Sequence, residues 1–301
     1  MSAGIKIGCP KCKWMPDGGN HWLCSCGHEW NTFDTKGKCP ACNVQWEDTY
    51  CPACGEPSEH ETWYRVDLEE QSVETLPEPI LSDQNELLRR KEIVEKKLAT
   101  YGINTKITFL PYLRFSETDF QSPYEVGCRL LVLWAVSSLA GNMGKKQAVE
   151  GWLKKTVLWD KLSPNEKKIF IGKPSKQVLI DFTWQLESVI VLCWTVNLLA
   201  ILPDLNNQLS DEDMKELWNR LPIGENPDAF LNTLEFRNKE DIFIENIINE
   251  MATSHLRDML LSGKKDAPHF NPAISFNRHK PLNWIRKFSG IDDWDETDTS
   301  T

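Results

Sequence analysis

From Ser82 onward, apolar residues return every three or four positions, the interval that gathers them on one side of a helix. Ser82 opens a first helix to about Tyr101, with Gly102 as its stop signal. Ile107–Leu110, just before Pro111, reads as a short strand. Ser122-Pro123-Tyr124-Glu125 is a capping box with proline at the first helical position. It starts a helix through Ala140, closed by Gly141 and Asn142, that is apolar on nearly every side and so predicts a central buried element. Lys145–Trp159 is amphipathic, and Ser163-Pro164-Asn165-Glu166 is a second capping box. The longest predicted helix runs from Ser175 to about Leu202, ended by Pro203. Further helices are expected at Ser210–Asn219, Pro227–Leu234, Asn238–Ser262 (stopped by Gly263) and Arg278–Phe288. No internal repeat and no nucleotide-binding glycine loop interrupts the pattern.

Ahead of Ser82 the pattern changes twice. Residues 67–81 are acidic and broken by Pro77 and Pro79, which predicts a linker. Residues 1–66 hold short turns and paired cysteines instead of helical spacing. The expected architecture is therefore mainly α: an all-helical domain over 82–301, preceded by a small β-hairpin-rich double zinc ribbon over 1–66.

The cysteines name their own chemistry. Eight of the ten lie between Cys9 and Cys54, as the pairs Cys9/Cys12, Cys24/Cys26, Cys39/Cys42 and Cys51/Cys54. Zinc takes four soft ligands at the corners of a tetrahedron, and two such turns facing each other supply them. Pro10, Pro40 and Pro52 stiffen three turns, while Gly27, Asn43 and Gly55 tolerate the left-handed backbone that such a turn requires. Two structural Zn2+ ions are expected. The spacing favours a sequential arrangement, with Cys9, Cys12, Cys24 and Cys26 on one metal and Cys39, Cys42, Cys51 and Cys54 on the other. The rival is a cross-braced arrangement of alternate pairs, disfavoured by the twelve residues between Cys26 and Cys39. His28 offers an alternative to Cys26, although a bystander role is preferred for it, as for His21 and His60. Iron is the competing metal for a tetrathiolate site. Four protein ligands leave no open coordination position, so both sites read as structural, contributing about 10–16 kcal/mol each to folding. Trp14, Trp22, Trp30, Trp46, Trp63 and Tyr64 are expected to shield them.

Paired thiols rather than disulfides presuppose a reducing compartment, and a cytoplasmic location is expected. No apolar leader precedes the first cysteine. The longest apolar run, Val189–Leu202, contains Thr195 and Asn197 and falls short of the roughly 20 residues that cross a bilayer.

Charge bears on partners. Residues 1–60 contain five lysines, no arginine and seven carboxylates. Each tetrathiolate zinc site would add a further negative charge of about two. Nucleic-acid affinity rests on phosphate neutralisation by Lys and Arg, so the ribbons lack that footprint and a protein partner is the better expectation. Lys145/Lys146, Lys154/Lys155 and Lys167/Lys168 read as solvated helix faces.

Arg129 and Glu187 lie inside strongly apolar helices, where an unpaired charge is costly. They are expected to pair with each other or with Arg278 or Asp298. The sharper alternative is a ligand or catalytic pocket around Glu187, Arg129 and Arg278. Cys128 and Cys193 read as buried, inert thiols. No metalloprotease motif and no nucleophile elbow is present among the histidines and serines.

Several ordered segments together resemble the helical family known as domain of unknown function 4272, over roughly residues 85–300. They are Arg129 with the apolar run that follows it, Trp152-Leu153-Lys154-Lys155, Trp159 to Glu166, and Trp184-Gln185-Leu186-Glu187 leading to Leu192-Cys193-Trp194. Arg278-His279-Lys280-Pro281-Leu282-Asn283-Trp284, Trp294-Asp295 and Asp298-Thr299 complete the set. The resemblance implies a bacterial, mostly helical domain with no assigned reaction, in which Arg129, Glu187, Arg278, Trp284 and Asp298 belong to a recurring polar and aromatic framework. The favoured expectation is a non-enzymatic interaction protein whose ribbons dock a partner or brace the helical domain. An enzyme or small-ligand receptor is the alternative, and a nucleic-acid-associated factor is the weakest.

Overall fold

The computed structural model describes residues 5–66, 78–262 and 269–299. Two compact units divide the chain: Met1–Lys96 with Asn104–Arg114, and Lys97–Ile103 with Phe115–Thr301. Of the expected linker, residues 67–77 lie outside the described residues, as does Gly263.

The first unit begins and ends in paired strands. β1 (Ile5–Ile7) runs antiparallel to β6 (Tyr64–Val66), with Lys6 opposite Arg65. Between them sit two short hairpins, β2 (Trp22–Leu23) with β3 (Glu29–Trp30) and β4 (Asp48–Tyr50) with β5 (Pro57–Glu59). Helix α1 spans Glu78–Thr100, starting ahead of Ser82. Its end is a Schellman motif: the Ile103 and Gly102 N–H groups reach the carbonyls of Leu98 and Ala99, and Gly102 takes a positive φ.

The strand expected at Ile107–Leu110 does not form. The Ile107 N–H goes to the Glu95 carboxylate at 2.8 Å and the Leu110 N–H to the Pro52 carbonyl at 3.0 Å. With those donors spent on separate partners, no ladder can start, and Leu110–Leu113 winds into a 3-10 turn.

In the second unit the apolar helix is central, as its sequence predicts. α2 (Pro123–Gly141) is buried along most of its length. Only half of its capping box is made: Ser122 accepts from the Glu125 N–H, while the Glu125 carboxylate takes Lys161 instead. α3 (Lys146–Lys154) stops short of Trp159, which lies in a separate 3-10 turn. The second capping box is complete but opens only α4 (Pro164–Lys167), a single turn.

The long helix expected from Ser175 to Leu202 is two shorter ones, α5 (Lys176–Trp184) and α6 (Leu186–Thr195), parted at Gln185. A Schellman motif ends α6, with Asn197 at φ +62° and the Leu198 N–H on the Cys193 carbonyl. Arg237 then takes the Thr195 carbonyl with its backbone and the Trp194 carbonyl with its guanidinium. Among the described residues, Lys176–Thr195 is the one stretch long and apolar enough to cross a bilayer by composition, and over half of it is buried in the protein.

α7 (Asp211–Asn219), α8 (Asp228–Thr233) and α9 (Lys239–Leu261) fall where expected. α10 (Pro272–Ile285) begins six residues before Arg278, with Asn271 as its cap and Pro272 at its first position. Pro281 lies inside α10 and cannot donate to the Asn277 carbonyl one turn back. The buried Ser188 hydroxyl on α6 supplies that bond at 2.6 Å.

Ser188→Ala should therefore leave a carbonyl without its donor and cost roughly 1–3 kcal/mol. Urea unfolding followed at 222 nm checks this. The penalty should shrink in a Pro281→Ala background, which restores the missing N–H; an unchanged midpoint for Ser188→Ala alone would contradict the assignment.

Candidate metal centre

Each cysteine pair is presented by the same backbone device. The N–H of the first cysteine donates to a carbonyl beyond the turn: Cys9 to Trp14, Cys39 to Val44 and Cys51 to Glu56. Its own carbonyl accepts from the residue after the second cysteine, namely Lys13, Asn43 and Gly55. The C-x-C pair is the same turn one residue shorter, with Cys24 N–H on His28 and Gly27 N–H on Cys24. The residue after every second cysteine has positive φ: Lys13 (+64°), Gly27 (+83°), Asn43 (+63°) and Gly55 (+73°). Three of these are glycine or asparagine, legible in the sequence. Lys13 carried no such signal.

The sulfurs converge in two groups, Cys9/Cys12/Cys51/Cys54 and Cys24/Cys26/Cys39/Cys42, with all ligand atoms of a group within 4.8 Å of one another. This overturns both the sequential and the cross-braced pairing. The sites are nested, the first pair meeting the fourth and the second meeting the third. The cause is the β1–β6 pairing, which brings the two ends of the segment together beside Cys9, with the Gly8 N–H on the Trp63 carbonyl at 3.0 Å. Everything between is a closed loop holding the inner group. The signal was present as Ile5-Lys6-Ile7 and Tyr64-Arg65-Val66, two alternating triplets flanking the cysteines.

The distances fit a tetrahedral dication. Sulfur–sulfur separations are 3.8 Å for Cys9–Cys54, 3.6 Å for Cys12–Cys51, 3.5 Å for Cys24–Cys42 and 3.7 Å for Cys26–Cys39. A metal–sulfur bond of about 2.3 Å gives a tetrahedron edge of about 3.8 Å, whereas a disulfide needs about 2.05 Å. None of these eight cysteines forms a disulfide. Crowding of sulfurs splits their acidity: hydrogen bonding from Cys51 draws the Cys12 thiol down to about 5, and the same contact pushes Cys51 up. The N–H of Cys26 draws Cys24 down to about 6. His28 is not among the converging ligand atoms; its ring stacks over Trp30 at 6.5 Å. His21 binds Asp17 at 2.5 Å, and His60 is buried between Thr49 and Tyr64, where burial lowers its pKa.

The outer site is the more enclosed. Cys9, Cys12 and Cys51 are buried, while Cys26 and Cys42 of the inner site are exposed. Around the outer site Phe33, unmarked in the sequence, is the hub of the aromatic seam, 5.1 Å from both Trp22 and Trp63 and 5.2 Å from His60. Trp30 and Trp46 pack on the inner site instead. A hollow of about 190 Å3 is walled by Trp22, Trp30, Trp46 and Tyr50, with Leu23 and Asp48 also lining it. The fourth turn is clasped by the 104–114 segment, the Arg114 guanidinium reaching the Cys54 carbonyl at 2.7 Å.

The polar residues of the helical unit do not form one pocket. Arg278 binds Glu187 through Nε and Nη2, at 3.1 and 2.9 Å, and gives Nη1 to the Pro203 carbonyl. Both side chains are sealed from solvent, at 0% and 3% exposure. Arg129 pairs elsewhere, with both Glu166 oxygens and the Lys161 carbonyl, its guanidinium 4.9 Å over the Trp294 ring. Of the expected pairings, Glu187 with Arg278 is made, whereas Arg129 meets neither Glu187 nor Asp298 among the described residues; Glu166 is the partner missed, hidden by its capping-box role. The Asp298 carbonyl accepts from Asn283. Cys128 and Cys193 are buried, and burial pushes Cys128 up to about 11 and Cys193 higher still.

A comparison with protein-family models matches residues 90–297 to a domain of unknown function, DUF4272. The chain belongs to this family. The DUF4272 region begins inside α1 and contains both buried ion pairs, while all eight clustered cysteines lie outside it. No curated relative and no solved structure matches the chain.

Two glycine variants test the turn geometry. Gly27 has open space where a Cβ would go, so Gly27→Ala costs only the left-handed backbone, about 1 kcal/mol. At Gly55 the same Cβ would meet Pro111 at 2.8 Å, so Gly55→Ala should cost clearly more. Thermal unfolding of the metal-loaded protein should rank them in that order, and equal losses would contradict the model of the fourth turn.

Proposed function

We propose that this protein is a cytoplasmic, non-enzymatic interaction protein in which two structural Zn2+ ions hold a ribbon-like module that docks a protein partner. The observation that carries this reading is the aromatic-walled hollow set among the two closed sulfur tetrahedra. Four cysteines fill each tetrahedron and leave no place for water or substrate, so the metals stabilise the module rather than react. In a reducing compartment zinc suits these sites because it does not change oxidation state.

The hollow favours a basic partner. Each zinc tetrathiolate would carry about −2, and Asp48 lines the cavity among aromatic faces. A lysine or arginine side chain entering such a cavity gains from the ring faces and from the surrounding negative field. Phosphate backbones are repelled by the same field, which disfavours nucleic acid.

Leu23 and Tyr50, at 65% and 56% exposure, are the two most exposed hydrophobic residues of the hollow, ahead of Phe109. Leu23→Glu with Tyr50→Glu should leave metal content and helical signal unchanged but abolish capture of the partner in a pull-down from the native host. A partner set identical to that of the unaltered protein would refute docking through this face.

A further inference from the structure

The helical unit holds a cavity of about 510 Å3 that neither buried ion pair explains. This is within the size range of small-molecule sites. Four stretches far apart in sequence line it: Asn165 and Glu166 at the start of α4, Gln185 at the break between α5 and α6, Lys280 in α10, and Trp294 with Asp295 near the C-terminus. The α5–α6 break, unexpected from the sequence, is what places Gln185 there. The remaining wall combines the apolar Ile171, Pro174, Val178 and Phe182 with the charged side chains of Lys168, Lys173 and Asp181.

The polar groups differ in what they still have to offer. Glu166 is committed to Arg129 and to the Ser163 N–H. Asp295 accepts from the Asn165 N–H, and Asp181 from Gln177. Lys168 donates to Asn165. Besides the exposed Lys173, two more deeply buried groups remain uncommitted among the described residues. The half-buried Lys280 lies with its ammonium 4.9 Å over the Trp294 ring, and no hydrogen bond or ion pair to it is made among the described residues. Burial holds its pKa below the ordinary lysine range. The Gln185 amide oxygen is buried and has no hydrogen-bond partner among the described residues. Asp295 and Glu166 act on Lys280 only through space, without a direct ion pair, and a half-buried cation so placed and a buried acceptor without a donor each carry a desolvation cost. A ligand that brings both missing partners removes both costs at once.

We infer that this cavity binds a small aromatic carboxylic acid: the carboxylate on the Lys280 ammonium, the ring between Phe182 and Trp294, and a ring O–H or N–H donor on Gln185 Oε1. The site is separate from the metal module and stands whether or not that module docks a partner. It also differs from the pocket expected around Glu187 and Arg278, which are sealed in their own ion pair.

Saturation-transfer NMR on the full-length metal-loaded protein tests it, with benzoate, salicylate and indole-3-carboxylate as probes and benzamide and indole as neutral controls. At least one acid should bind at a single site, with the neutral controls weaker by tenfold or more. Lys280→Met should weaken the acids at least tenfold. Gln185→Leu should weaken salicylate and indole-3-carboxylate, which carry a donor, more than benzoate, which does not. Val178→Trp, a substitution at a partly exposed position of the wall, should block all three and guards against misfolding of the lysine variant. Binding by none of the acids, equal binding of the neutral controls, or acid binding indifferent to both Lys280→Met and Val178→Trp would overturn the proposal.

Discussion

The first unit depends on the convergence of eight sulfurs into two groups of four. A 62-residue stretch built from two- and three-residue strands buries few side chains apart from the cysteines themselves and an aromatic cluster around Phe33. Segments of that size rarely fold on apolar burial alone. Without a cation the crowded thiols oppose one another, Cys12 falling to about 5 as Cys51 rises. A dication in each group would replace that opposition with four metal–sulfur bonds, which is why metal binding and folding are one event in such modules. The nested order adds a topological constraint. The β1–β6 pair and the outer site close the loop on which the inner site is formed.

The helical unit solves the opposite problem, that of charges inside an ample core. Arg278–Glu187 and Arg129–Glu166 are buried pairs in which the guanidinium groups also bind backbone carbonyls. Such pairs cost much to bury and are strongly destabilising to break from one side, so they fix which helices may meet. α10 illustrates the same economy: its internal proline is tolerated because Ser188 on α6 serves the carbonyl that proline leaves. Position and partner are thereby specified together.

Helix existence was legible because apolar spacing is a local property. α2, α7, α8 and α9 follow their capping residues within a residue or two. Breaks were not, because their causes are distant: α6 ends where Arg237, forty residues on, collects its carbonyls, and Ile107 is held out of a strand by Glu95. The eight metal-ligand candidates could be named from the sequence, but their grouping could not be settled by spacing. Loops of eight, eleven and twelve residues close with nearly equal entropy. Only the strand triplets at the two ends separated nested from sequential order. Arg129 and Glu187 were recognised as needing partners, yet Glu166 looked already employed as a helix cap, and it does both.

The central claim, nested tetrathiolate sites, is tested most directly by cadmium-113 substitution and proton–cadmium correlation NMR. Each metal couples to the β-protons of its own four cysteines, so the spectrum reads connectivity residue by residue. Two cadmium resonances are predicted, one correlated with Cys9, Cys12, Cys51 and Cys54 and the other with Cys24, Cys26, Cys39 and Cys42. A resonance joining Cys9 and Cys12 to Cys24 and Cys26, or a single bound metal at saturation, would contradict the account.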